Sequence, residues 1–212
     1  MTKEERLNRE IKRTEKAMAF DKEYMDEYEY VCGIDEVGRG PLAGPVMAAA
    51  VILPKNCDIL YINDSKKLSP KKREEMAKKI EEIAISIGYG VIDEKIIDEI
   101  NILNATKRAM KIAIENLSVK PDFCLIDSVK LDNVSISQKS FTKGDEKSMS
   151  IAAASIVAKV KRDKYMVEIS KKYPEYNFEK NKGYGTKEHI YMLKKYGYSD
   201  IHRKTFLKFL SE

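Results

Sequence analysis

Histidine and cysteine are scarce in this chain of 212 residues, which holds two of the first and three of the second. His189 and His202 both fall late in the sequence, which argues against a His-rich zinc site. Cys32, Cys57 and Cys124 lie far apart, so the pattern predicts buried, reduced thiols in a cytosolic protein and no disulfide framework. Long apolar runs are missing as well. The longest, near 46–53 and 151–158, fall short of the ~20 residues that span a bilayer, so no membrane association is expected. The N-terminus is highly charged and lacks the apolar core of a signal peptide. Charge of one sign is not in large excess either: 39 basic against 34 acidic residues leave +5, which permits nucleic-acid binding without announcing it. What is present, 43% apolar and 34% charged residues, describes a globular chain able to bury a full core in one domain, or in one domain with an appendage.

Residues 2–27 read as a charged helix. Thr2 and Glu5 match a capping box, and Leu7, Ile11, Met18 and Met25 form a thin apolar stripe expected to dock on the body of the protein. Strand patterns follow over 29–35 and 46–53, joined by a Gly/Pro-rich loop over 38–45. Ser69-Pro70 starts a helix, and alternation over 84–92 predicts a third strand. A long helix over 94–117 is expected to break near Asn101-Asn104. Phe123-Cys124-Leu125-Ile126 reads as a short buried strand ending at Asp127, with a fifth strand near 134–142. From Ser150 to about Tyr173 runs another helix, whose Ala152-Ala153-Ala154-Ser155 segment is small enough to let a neighbour pack very close. A Gly183-Tyr184-Gly185 turn, a helix over 186–196 and a short helix near 203–210 complete the chain. This order describes an α/β domain with a mixed sheet.

The chemistry concentrates at strand ends. The apolar run Tyr30-Val31-Cys32-Gly33-Ile34 passes into two adjacent carboxylates, Asp35 and Glu36, with Gly38-Arg39-Gly40 close behind. An unpaired buried charge is costly, and a bound cation is one way to offset that cost. Asp127 ends a second strand, and Asp145 follows Lys143-Gly144 just ahead of the helix at Ser150. Ligands gather beyond strand ends in open α/β sheets, so these four groups are expected in one crevice. Successive strand residues point to opposite faces, so Asp35 and Glu36 share a site only if the backbone turns there. Carboxylates without cysteine or histidine select Mg²⁺ or Mn²⁺, and paired ions about 3.5–4 Å apart can activate water on one side of a phosphodiester and steady the leaving oxygen on the other. Glycines let backbone come close to a ligand, and Arg39 offers a planar cation suited to phosphate. Ser65 and Lys66, within Asn63-Asp64-Ser65-Lys66-Lys67-Leu68 ahead of a helix, make a phosphate cradle. Ser155, Lys159 and Arg162 share a helix face that could track a nucleic-acid backbone, and Tyr184 sits between glycines where its ring could stack on a sugar or base.

The order of these motifs resembles the type 2 ribonucleases H, and within them the bacterial ribonuclease HII family. The resemblance runs from Gly33-Ile34-Asp35-Glu36-Val37-Gly38-Arg39-Gly40-Pro41 through Asp64-Ser65-Lys66-Lys67-Leu68, Leu125-Ile126-Asp127 and Lys143-Gly144-Asp145. It continues over the helix from Ser150 to Arg162-Asp163 and into Lys182-Gly183-Tyr184-Gly185-Thr186, so it covers roughly 30–206. It implies a ribonuclease H-like fold, a five-stranded mixed sheet flanked by helices, with a helical extension over 1–28 and a catalytic domain over 29–212 that includes a helical C-terminal region. It implies endonucleolytic cleavage of RNA in RNA–DNA hybrids and 5′ of single ribonucleotides embedded in duplex DNA, leaving 3′-hydroxyl and 5′-phosphate ends. Asp35, Glu36, Asp127 and Asp145 would be the catalytic acids, holding Mn²⁺ or Mg²⁺, two ions per site during catalysis. Gly38, Arg39 and Gly40 would sense the 2′-hydroxyl, Tyr184 would stack on the sugar beyond it, Ser65 and Lys66 would hold phosphates, and Lys159 would contact substrate. A monomer in the cytoplasm is expected, with protein partners left open. Two departures touch the finer substrate contacts: Asn181 stands where many relatives carry histidine, and Arg203-Lys204-Thr205-Phe206 varies the usual Arg-Ser-Phe. The competing readings are ribonuclease HIII-like activity on longer ribonucleotide tracts and a hybrid-binding module without catalysis.

Overall fold

The computed structural model describes residues 2–57, 59, 60, 62, 65, 68–132 and 134–210. Asn63, Asp64, Lys66 and Lys67 lie outside the described residues, and with them the expectation placed on Lys66. Helix α1 (Lys3–Met25) is followed by β1 (Val31–Val37), β2 (Val46–Ile52), α2 (Pro70–Ile83), β3 (Ser86–Ile92), α3 (Glu94–Ile100) and α4 (Ile102–Glu115). Then come β4 (Phe123–Asp127), β5 (Ser137–Phe141), α5 (Met149–Lys172), α6 (Phe178–Asn181) and α7 (Lys187–Tyr196). The segment near 203–210, expected as a short helix, forms two 3-10 turns, Lys204–Phe206 and Lys208–Leu210.

The five strands form one mixed sheet in the order β3-β2-β1-β4-β5. β2 is antiparallel to β1 and β3, whereas β1, β4 and β5 run parallel. Parallel β1 and β4 bring their C-terminal ends, and so Asp35-Glu36 and Asp127, to the same edge of the sheet. Strand alternation divides β2 between two cores. Ala49 and Val51 pack with α2 and α5 through Met76, Ile80 and Ile156, whereas Val46, Ala48, Ala50 and Ile52 pack with Met110 and Ala113 of α4. Burial of a side chain such as Met110, with no exposed surface, contributes about 1.5–3 kcal/mol.

The small-residue segment of α5 allows the close approach its sequence suggests. A Cβ on Gly33 of β1 would lie 2.0 Å from the carbonyl carbon of Ser150, so only glycine fits. The predicted break between α3 and α4 falls at Asn101, whose φ is +66° and whose side chain accepts the N–H groups of Leu103 and Asn104 at 3.0 and 3.1 Å. Such positive φ is tolerated by asparagine better than by most residues.

The capping box at Thr2 and Glu5 is present, and of the predicted apolar stripe Met25 is buried and Met18 packs against the core, whereas Leu7 does not. Leu7 is exposed, and the buried line is Thr14, Ala17, Asp21 and Met25, because the helix meets the body along a face that includes a carboxylate. Asp21 accepts the backbone N–H and the hydroxyl of Ser150 at 2.7 Å each, which joins α1 to the first turn of α5. Burial pushes the Asp21 carboxyl up to about 6, against the pull of its Ser148 and Ser150 donors. Among the described residues no helix is long and apolar enough to cross a membrane, and the three cysteines are buried and free.

Candidate active site

One cleft of about 430 Å³ lies beyond the ends of β1 and β4. Asp35, Glu36, Asp127 and Asp145 all line it, as do Gly38, Arg39 and Gly40. Ser65, Lys159 and Tyr184 close its other side. Of the described residues that sequence reasoning placed at the site, all but Arg162 are therefore on this cleft. The backbone turn thought necessary for Asp35 and Glu36 to share it is absent, since β1 stays extended through Val37. Instead Asp35 bends to accept the N–H of Glu36 at 2.7 Å, and both acids reach the cleft at the strand's end.

Burial is the main force on the first pair. It pushes the Asp35 carboxyl well above the usual carboxylate range, reinforced by the charges of Glu36 and Asp127 and opposed by a hydrogen bond from Ser155. Glu36 is pushed up by burial and by Asp127, and held down by Arg39, whose Nη1 lies 3.5 Å from Glu36 Oε1. The other oxygen of Glu36, Oε2, is buried without a hydrogen-bond partner. Asp127 accepts the N–H of Gly144 at 2.6 Å and the hydroxyl of Ser128 at 3.0 Å. The αL conformation of Lys143 (φ +56°) leads into the turn that carries Gly144 and Asp145, so loop geometry links two of the acids. That link was not legible in the residue types alone.

Opposite the acids, Ser65 Oγ and Ser155 Oγ are 3.0 Å apart, which extends a polar line from Ser65 through Ser155 to Asp35. Lys159 donates to Asp163 at 2.6 Å, and its Nζ stands 5.8 Å from the centre of the Tyr184 ring. Burial pulls the Lys159 ammonium below its usual range, with Asp163 opposing. Arg162 does not join this face. It has no exposed surface, because the C-terminal region covers it, so it cannot track a nucleic-acid backbone as its spacing from Lys159 suggests.

The donor set suits a hard divalent cation: all carboxylate oxygen, mutually repelling, with one buried oxygen unpartnered. Among the described residues, however, no three His, Cys, Asp or Glu side chains form a ready-made metal centre. The four acids share a cleft without converging on one point, since Asp35 and Asp127 hold protein N–H groups and Glu36 faces Arg39.

Comparison with known proteins gives the class. The sequence pattern of the family described as Ribonuclease HII matches residues 32–209. The ribonuclease HII of Acetivibrio thermocellus is 55% identical over 204 residues, which is 96% of this chain and 80% of that one. The ribonuclease H2 from Pyrococcus horikoshii OT3 superposes with a TM-score of 0.69 at 29% identity, covering 83% of this chain and 93% of that chain. Bst-RNase HIII, solved in complex with Mn²⁺, shares the fold at a TM-score of 0.57 and 19% identity over 79% of this chain and 63% of that one. Fold and relatives together define a ribonuclease H, an endonuclease that hydrolyses phosphodiester bonds. Within that class, the chain belongs to the ribonuclease HII family.

Proposed function

We propose that this protein cleaves the RNA strand of RNA–DNA hybrids and cuts 5′ of single ribonucleotides embedded in duplex DNA, leaving 3′-hydroxyl and 5′-phosphate ends. The observation that carries the reading is the gathering of Asp35, Glu36, Asp127 and Asp145 on one cleft opposite Tyr184 and Lys159. In this reading the four carboxylates hold Mg²⁺ or Mn²⁺, ions that lower the pKa of bound water and neutralise charge on a phosphodiester. The orphaned Glu36 Oε2 and the raised Asp35 carboxyl support the assignment, because a cation relieves both. Lys159 and Ser65 meet phosphate oxygens, with Lys66 assigned beside them from the sequence. Tyr184 stacks on the sugar beyond the junction, while Gly38, Arg39 and Gly40 read the 2′-hydroxyl, the group that separates RNA from DNA at a site. Residues 29–212 act as the catalytic unit and 1–28 as an appended helix. The three free cysteines accord with a cytoplasmic setting.

A labelled DNA duplex with one ribonucleotide tests the proposal. Cleavage 5′ of that nucleotide is expected with Mg²⁺ or Mn²⁺ and none after chelation. Cleavage confined to long ribonucleotide tracts would instead point to ribonuclease HIII-like specificity.

A further inference from the structure

Two arginines, Arg162 of α5 and Arg203 of the C-terminal segment, are buried with no exposed surface. Among the described residues neither has a carboxylate partner within ion-pair distance; both spend their donors on backbone carbonyls instead. Arg203 donates through Nε to Gly44 O at 2.9 Å, through Nη1 to Arg39 O at 3.0 Å, and through Nη2 to Gly38 O at 2.6 Å and Gly44 O at 2.7 Å. Arg162 donates to Pro45 O at 2.9 Å, Ala43 O at 3.1 Å and Lys182 O at 3.0 Å. The carbonyls held belong to the loop over 38–45 and to the start of the turn carrying Tyr184. Glycine makes the arrangement possible: at Gly38, where φ is +93°, a Cβ would lie 2.3 Å from Arg162 Nε.

In a trans peptide the carbonyl and the following N–H point in opposite directions, and this chain has no cis bonds. Drawing the oxygens of Gly38 and Arg39 inward to Arg203 therefore turns the N–H groups of Arg39 and Gly40 outward. Both residues line the cleft, and neither amide donates to a backbone carbonyl among the described residues. We propose that Arg162 and Arg203 are positioning residues: from behind the loop they fix two amide donors toward the cleft, ready for a hydroxyl oxygen of the substrate sugar. The inference rests on the reading above, in which this loop senses the 2′-hydroxyl.

The C-terminal segment is held in turn from α3. Asp98 accepts the N–H groups of Lys204 and Thr205 at 2.7 and 3.0 Å. Arg203 N–H donates to Leu42 O at 2.9 Å, and Leu42 N–H to Gly183 O at 2.8 Å, so the clamp couples the loop over 38–45 to the Tyr184 turn.

The test compares two duplexes that differ only at one sugar, carrying either a 2′-hydroxyl or a 2′-fluoro group, which is a poor acceptor and no donor. Steady-state cleavage is measured for the unaltered protein, Arg203→Lys and Arg162→Lys, each checked for cooperative melting. Lysine keeps charge and bulk but not the planar fork. The ratio of kcat/KM for hydroxyl over fluoro is expected to fall on the order of tenfold in both variants, as for loss of an aligned hydrogen bond. A merely structural role would lower both rates together and leave the ratio intact. Ratios within twofold of the unaltered protein overturn the clamp, while the sensing assignment stands. Equal cutting of both duplexes by the unaltered protein overturns the sensing assignment, and the clamp's role with it. If neither lysine variant folds, Asp98→Asn, which loosens the segment from outside, is expected to lower the same ratio; an unchanged ratio there counts against the proposal.

Discussion

Two groups of buried charge face each other across the loop over 38–45, and they are built on opposite terms. Behind the loop, the guanidinium groups of Arg162 and Arg203 meet carbonyl oxygens on every side. In front of it, Asp35 and Glu36 repel one another, both carboxyls are pushed up, and one oxygen of Glu36 has no partner. Removing the partners of a buried charge is expensive, so a satisfied charge belongs to the scaffold, and an unsatisfied one lining an open cleft marks where something else is meant to bind. The contrast separates two roles for buried polar groups more sharply than burial alone does.

The largest effect expected is at the unsatisfied group. Asp35→Asn should abolish cleavage, by more than about a thousandfold, while hybrid binding survives. Without divalent ions the same variant should melt higher than the unaltered protein, since it removes a repelling buried carboxylate; added Mn²⁺ should then raise the melting temperature of the unaltered protein and not of Asp35→Asn. A variant that cleaves normally would undo the contrast.

Asp21 sharpens the comparison from a third place, a buried carboxylate whose Oδ2 accepts donors while Oδ1 has none, with no cation beside it among the described residues. Its folded-state value of about 6 lies above the ordinary 3.8, so the folded protein keeps a proton that the unfolded chain releases between those values. Stability from this group is present below about pH 4 and is lost as pH rises to 6, by at most about 3 kcal/mol. Urea unfolding of Asp21→Asn and of the unaltered protein at pH 4 to 7 should show the variant gaining relative stability across that window. A flat difference would mean that the serine donors compensate fully for burial.

The smallest effect is expected at Tyr184, a residue 40% exposed at the cleft. Tyr184→Ala should lower kcat/KM on a single embedded ribonucleotide by about tenfold, the scale of one lost stacking contact, with binding affected less. Equal losses in binding and turnover would assign the ring a structural role.

The acids were legible because carboxylates at the ends of apolar strands contradict their surroundings, and the break at Asn101 because asparagine signals a cap. The sheet followed from alternation and spacing. What sequence could not yield was burial of charge. Arg162 sits at helical spacing from Ser155 and Lys159, which looks like a basic surface until the C-terminal segment covers it. Arg203 reads as one residue of a variable tail, and its carbonyl partners lie more than 150 positions earlier. The buried line of α1 was only half found, through Met18 and Met25, for a related reason. A pattern search for apolar residues selects Leu7 and passes over Asp21, whose place is earned by the N–H and hydroxyl of Ser150.

Gly33 and Ser150 leave no room for a methyl group between them. Strand β1 and helix α5 thus pack backbone against backbone, which leaves little slack between Asp35 on one and Ser155 on the other. Under the proposed metal binding, Asp35 and Glu36 would reach an ion by bond rotation within their side chains, a change open to fast solution measurement rather than slow rearrangement of the main chain.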